Sequence, residues 1–307
     1  MEGAVVETLR AEACDSRFEA AIRARMTLRV LQVFDHAVNL EGGGWLWTVV
    51  ARPGFAAPLT VCVAARGSLA DARIRPGSVA RWQGERLALS AAARIDFSSC
   101  RTVPTAGEEM AWDVAAARRG LAAFDEALAA SGEARGCLLG YRRRWLGEAC
   151  PLDAVLSFVW QRADDLMRVA FAGEGVEAAA RRLVGAGQGL TPAGDDFIAG
   201  ALCVLGGVDH PAARRVRQAM ADGVGAPGVL DATTRVSRQM LACELVGQAA
   251  STHLRFRRAL LRDARDAGPA LSELLSVGHT SGADFAAGAA DALRRLVLLT
   301  GVSGRRR

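Results

Sequence analysis

The chain has 307 residues, 38 basic and 33 acidic side chains, a formal charge of +5, and 51% hydrophobic against 23% charged residues. That composition excludes an intrinsically disordered chain, and apolar runs such as Ala199–Leu205 fall far short of the roughly 20 residues a membrane span needs. Every basic residue is Arg, which excludes lysine chemistry such as a Schiff base or a phosphate-loop lysine. A charge of +5 at this length, with one Tyr, does not support nucleic-acid binding.

Residues 1–25 predict a short helix, read from VVETLRAEA and FEAAIRARM. No basic segment leads into an apolar one there, so no secretory leader is expected and the expected location is cytoplasmic. From Thr27 to Cys100 the signals are β-type. Leu28–Phe34, Trp45–Val50, Leu59–Ala64, Ser78–Arg81 and Leu87–Ala91 are candidate strands, separated by turn sequences such as Arg52-Pro53-Gly54 and Arg75-Pro76-Gly77, and ARIDFSSC reads as one more. Short strands without intervening helices predict a small antiparallel β barrel or sandwich.

After Thr105 the pattern turns helical. The predicted helices are Glu108–Ala130, one opened by Pro151, Glu177–Val184, Pro211–Asp222, Ala232–Ala250, His253–Asp266, Pro269–Ser276 and Ala283–Leu299. Strand and helix do not alternate, so a doubly wound nucleotide-binding sheet is not supported. The expected class is α+β: a β-rich N-terminal domain over residues 1–106, then an all-helical domain over 107–307 carrying the glycine-rich motifs. The seven Cys form no C-x-x-C pair and do not cluster with the four His, which predicts reduced thiols, no metal site and no cofactor.

One segment stands apart: Gly185-Ala-Gly187-Gln-Gly189-Leu190-Thr191-Pro192-Ala193-Gly194-Asp195-Asp196-Phe197-Ile-Ala-Gly200. Thr191 is a candidate N-cap with Pro192 as first helical residue; alternatively the helix starts at the Asp pair. Either way a glycine-rich loop at a helix N-terminus offers backbone N–H groups to phosphate or carboxylate. It matches neither a Walker loop nor G-x-G-x-x-G. A second segment, Gly278-His279-Thr280-Ser281-Gly282-Ala283-Asp284-Phe285-Ala286-Ala287-Gly288, echoes it, since Asp196-Phe-x-x-Gly200 matches Asp284-Phe-x-x-Gly288. Two such junctions facing each other would make a site for a small anionic ligand. Thr233, Thr234, Arg235 and Ser237 add hydroxyls and one guanidinium, and also read as a helix cap. His279 is the one His in a glycine-rich polar setting, a candidate acid or base. Asp195 and Asp196 point about 100° apart on a helix, which argues against one shared metal ion.

These residues carry a resemblance. G-x-G-L-T-P-x-G-D-D-F-x-x-G at 187–200, T-T-x-x-S at 233–237 and G-H-x-S-G-x-D-x-x-x-G at 278–288 resemble a family long catalogued as of unknown function and now tied to the third, AllH-type, subunit of oxamate carbamoyltransferase. The resemblance implies transfer of a carbamoyl group between carbamoyl phosphate and a small amide or amine, by several different subunits working together. The residues suit that chemistry. Gly187, Gly189, Gly194 and Gly282 are candidates for the anion cradle with Asp195 beside them. Thr191, Thr233, Thr234, Ser237, Thr280 and Ser281 are candidate donors to carbonyl or phosphate oxygens, and Arg235 to an acceptor carboxylate. His279, Asp196 and Asp284 are the candidate catalytic groups. A scaffold subunit without chemistry of its own, and a stand-alone hydrolase or lyase acting on an anionic metabolite, are the rival readings.

Overall fold

The structure is a computed structural model that describes residues 7–65, 67–132 and 135–303. The first six residues of the predicted N-terminal helix and the basic tail Arg305-Arg306-Arg307 lie outside the described residues. The chain divides into two compact units, one ending at Ala106 and one starting at Gly107.

In the first unit, β1 (Glu7–Cys14), β2 (Leu28–Val33), β3 (Ala37–Gly42), β4 (Trp45–Val50), β5 (Thr60–Ala64), β6 (Val79–Gln83), β7 (Arg86–Ala88) and β8 (Ala93–Asp96) run in the order β5-β4-β3-β2-β6-β7-β8-β1. β1 pairs back onto β5 and closes a barrel-like sheet, and β9 (Arg101–Thr102) extends it beside the end of β1. α1 (Ser16–Arg23), capped by Asp15 accepting from the Phe18 N–H at 2.9 Å, sends Phe18 against Trp47 and Phe97.

The expected antiparallel sheet is in fact mixed. β4–β5, β1–β8 and β1–β9 are parallel, while the hairpins between them are antiparallel. Turn sequences report only the pairing of successive strands. The loop 51–59 carries the chain back so that β5 runs alongside β4, and β1 finds β8 from across the sequence. Two segments differ from the sequence reading for a related reason. ETLRAEAC favours helix by propensity, yet it is β1, because Leu9, Ala11 and Ala13 alternate inward and close the barrel. AVNLEG was not predicted as a strand, but buried Asn39 is satisfied across the sheet, donating to Gln32 and accepting from the Thr48 hydroxyl.

The second unit contains α2 (Val114–Ser131), α3 (Cys137–Tyr141), which continues into a π-helical turn at Arg142–Leu146, α4 (Ala154–Ala172), α5 (Val176–Leu183), α6 (Ala193–Leu205), α7 (Pro211–Val224), α8 (Arg235–Leu245), α9 (Ser251–Leu261), α10 (Ala267–Leu275) and α11 (Ser281–Ser303). One short parallel pairing, β10 (Met110–Ala111) with β11 (Val208–Asp209), replaces the expected helical start at Glu108. α2 begins only after Asp113, whose carboxylate caps Ala115 and Ala116.

The centre of this unit is the crossing of α6 and α11. Every residue of α6 from Gly194 to Leu205 is buried, as expected of a helix apolar on all sides. A Cβ on Gly200 would overlap the Phe285 carbonyl oxygen, and one on Gly288 would overlap that of Phe197. The two Asp-Phe-x-x-Gly segments are therefore reciprocal halves of one close crossing. Burial of Phe197, Ile198, Leu202 and Leu205, at about 2 kcal/mol each, offsets the several kcal/mol that dehydrating the carboxylates at the head of the helix costs.

Candidate functional site

The loop before α6 turns on glycines. Gly187 has φ +121°, and a Cβ there would sit 2.6 Å from the Ala193 nitrogen, so only glycine allows the bend. α6 starts at Ala193 with Pro192 at the N-cap position, and no side chain caps it. The predicted N-cap, Thr191, instead sends its hydroxyl 2.6 Å from the Ser281 hydroxyl at the head of α11. That contact joins the two glycine-rich junctions directly. Among the described residues nothing accepts a hydrogen bond from the backbone N–H groups of Gly187, Gln188, Gly189, Leu190 and Thr191.

The adjacent carboxylates diverge, as helix geometry requires. Asp195 is saturated. It accepts from the Gly185 N–H at 2.8 Å, from the Ser237 hydroxyl at 2.6 Å and from the Thr233 hydroxyl. Burial raises its pKa, and these three donors oppose the rise. Thr234 caps α8 by accepting from the Ser237 N–H at 3.1 Å, and it donates to the Leu190 carbonyl. Asp195, Thr233, Thr234 and Ser237 thus lock the glycine loop to the start of α8.

Asp196 faces α11. Burial, and then the charge of Asp284, push its pKa well above the usual carboxylate range, while the hydroxyls of Ser281 and Thr191 favour its ionised form. Asp284 accepts the Cys137 N–H at 2.6 Å on Oδ1. Burial raises its pKa as well, opposed by Cys137, by Thr280 and by the charge of Arg135. Among the described residues, Oδ2 of Asp196 and Oδ2 of Asp284 are both buried with no hydrogen-bond partner.

Both junctions line one cleft of about 680 Å³. Of the predicted residues, Gly187, Gly189, Thr191, His279, Thr280, Ser281 and Asp284 line it; Asp196 is not in the lining, and the hydroxyls of Thr191 and Ser281 act on it. Asp195, Thr233, Thr234 and Ser237 do not. Gly194 and Gly282 serve close packing, since a Cβ would overlap the Leu183 and Leu274 carbonyls respectively. Arg235 is exposed on the first turn of α8, outside the cleft lining. His279 is exposed at the cleft mouth.

The sequence reading passed over the opposite wall: Gly136, Asp153, Val155, Leu156 and Val159. It also passed over Cys137, whose backbone holds Asp284. Gly136 adopts φ +54° and ψ −153°, and a Cβ there would overlap Asp284 Oδ1. A glycine directly before the apolar run Cys137-Leu138-Leu139 was the available signal. The Cys137 thiol, raised well above its ordinary value by burial, is no nucleophile. Among the described residues no three His, Cys, Asp or Glu side chains converge as a metal cluster, and no helix is long and apolar enough to cross a membrane.

Two family models match the chain. One, described as the AllH family N-terminal domain, matches residues 9–102. The other, described as oxamate carbamoyltransferase subunit AllH, matches residues 183–293, a span that holds both glycine-rich junctions. Together they cover about two-thirds of the chain. No curated protein and no solved structure matches it.

Proposed function

Because this chain belongs to the AllH family of oxamate carbamoyltransferase subunits, we propose that its helical unit takes part in moving a carbamoyl group between carbamoyl phosphate and a small amide or amine acceptor. The observation that carries this reading is the convergence of two glycine-rich junctions, with unengaged amides, on one cleft. The reaction transfers an acyl-type carbon between phosphate oxygen and nitrogen. It needs donors for phosphate, donors for a carbonyl oxygen that gains charge, and a group to take the acceptor's proton.

The amides of Gly187 to Thr191 hold the phosphate, helped by the positive N-terminal ends of α6 and α11. The hydroxyls of Thr191, Thr280 and Ser281 line the cleft, and each gives its single proton to the carbonyl oxygen by turning away from its partner in the free chain. His279, at the mouth, takes the proton from the acceptor nitrogen as the new C–N bond forms and the C–O bond to phosphate breaks. Arg235 plays no part in this scheme, since it lies outside the cleft lining. As a member of a multi-subunit enzyme, the chain works with partner subunits that complete the site.

The test has two arms. Carbamoyl phosphate is expected to raise the melting temperature of the purified chain in a concentration-dependent way, by the energy of selective binding to the folded state. His279→Ala is expected to leave that shift intact and to lower carbamoyl transfer in the reconstituted complex by about a hundredfold. No thermal shift, with activity within about threefold of wild type, would establish the scaffold reading instead.

A further inference from the structure

The cleft contains two demands of opposite sign. Its upper rim presents backbone N–H groups that suit an anion. Two carboxylates from different helices are buried at this junction, Asp284 in the cleft lining at 0% exposure and Asp196 outside the lining at 3%, each with one oxygen that has no partner among the described residues. Asp284 lines the cleft, and its other oxygen is already committed to the Cys137 N–H. Asp196 is held by Thr191 and Ser281, both of which line the cleft. Burial and the Asp284 charge oppose ionisation of Asp196, and a positive group between the two carboxylates would favour the ionised form of both.

We propose that Asp196 and Asp284 hold a divalent cation of the magnesium class at the floor of the cleft, where it bridges the carboxylates to the anionic substrate above. The donor set selects the class. Carboxylate and hydroxyl oxygens suit a hard cation; His279 is exposed at the cleft mouth and burial holds the Cys137 thiol far from its thiolate form, which argues against zinc. Two carboxylates are too few for a calcium cage, but they suit magnesium, which keeps several waters and takes further oxygens from a substrate phosphate. Asp195 is excluded as a ligand because its oxygens are taken by Gly185, Thr233 and Ser237. The cation's role in the reaction rests on the reading of the cleft as the substrate site; its binding does not.

Mn²⁺ is the probe, titrated into the purified full chain with free metal read by electron paramagnetic resonance and no substrate present. The expected result is one Mn²⁺ per chain, displaced by Mg²⁺, with affinity at least tenfold weaker in Asp284→Asn and in Asp196→Asn, both checked for native circular dichroism. Asp284→Glu, which keeps the charge, is expected to retain binding, so the test stays decisive if an Asn variant fails to fold. No saturable binding at millimolar Mn²⁺, or equal binding by both Asn variants, overturns the proposal. If Mn²⁺ binds while carbamoyl phosphate gives no thermal shift with the metal present, the cation site stands and the substrate reading fails. The converse result keeps the substrate reading and leaves the carboxylate pair sharing a proton.

Discussion

The two junctions share Asp-Phe-x-x-Gly, yet they are furnished differently. The first places Gly187 and Gly189 in a loop of unengaged amides and sets Phe197 edge-on against Trp160. The second supplies His279, Thr280 and Ser281, and stacks Phe285 on His253 at 3.8 Å, with Glu244 behind it. The crossing is symmetric where the helices pack and asymmetric where they open to the cleft. Packing repeats because backbone-to-backbone approach has one solution, glycine on both sides. The loops diverge because holding an anion and moving a proton need different groups.

The largest expected effect tests the symmetric part. Gly200→Ala and Gly288→Ala each force a methyl into a backbone carbonyl that cannot yield. Each is expected to cost about 3 kcal/mol in urea unfolding, the upper end for overpacking. A cost near zero for one of the two would break the reciprocity.

Next comes the contrast between neighbouring carboxylates. Asp195→Asn forfeits acceptor capacity used by three donors and is expected to destabilise by about 1–3 kcal/mol. Asp196→Asn replaces a carboxyl whose ionisation burial and Asp284 oppose, and it is expected to leave the melting temperature equal or higher in cation-free buffer. Equal losses in both variants would mean that the two residues do the same job.

The smallest effect separates the junctions by pH. Glu244 is buried beside His253, Arg257 and Arg217, and burial raises its pKa above the ordinary 4.5 despite the His253 hydrogen bond and the two guanidinium charges. The folded chain therefore holds this proton more tightly than the unfolded chain does. Its contribution is intact below the ordinary glutamate range and is lost as pH rises through the raised value. Glu244→Gln is expected to remove that part of the decline, so that its melting temperature gains on wild type as pH rises. A constant difference between the two across pH 4 to 8 would exclude Glu244 as its source. Trp160, which has no titrating group, occupies the corresponding place behind Phe197.

Much of this was legible before any coordinates. The switch from strand to helical patterning after Thr105 is carried by local side-chain periodicity and turn chemistry; most helices after it overlap their predicted spans, while α3 was not expected and α2 begins at Val114 rather than Glu108. The motif residues Gly187, Gly189, Thr191, His279, Thr280, Ser281 and Asp284 stood out by type and spacing, and they line one cleft. Gly136, Cys137 and Asp153 did not stand out, because each serves the cleft through a backbone or a wall position that leaves no side-chain signature. Thr233 and Ser237 looked like ligand donors, yet they bond to Asp195; hydroxyl spacing states what a residue can donate but not which acceptor will be nearest.

The sequence by itself determined most element types, the repeated Asp-Phe-x-x-Gly units and the glycine positions, since these follow from local sterics and periodicity. Tertiary structure alone decided that β1 is a strand paired with β8 and β5, that Asp195 is spent on holding a loop, and that the two glycine-rich junctions meet through Thr191 and Ser281. Each of those outcomes depends on partners far away along the chain. The free energy of burial is shared among them, and no window of neighbouring residues contains it.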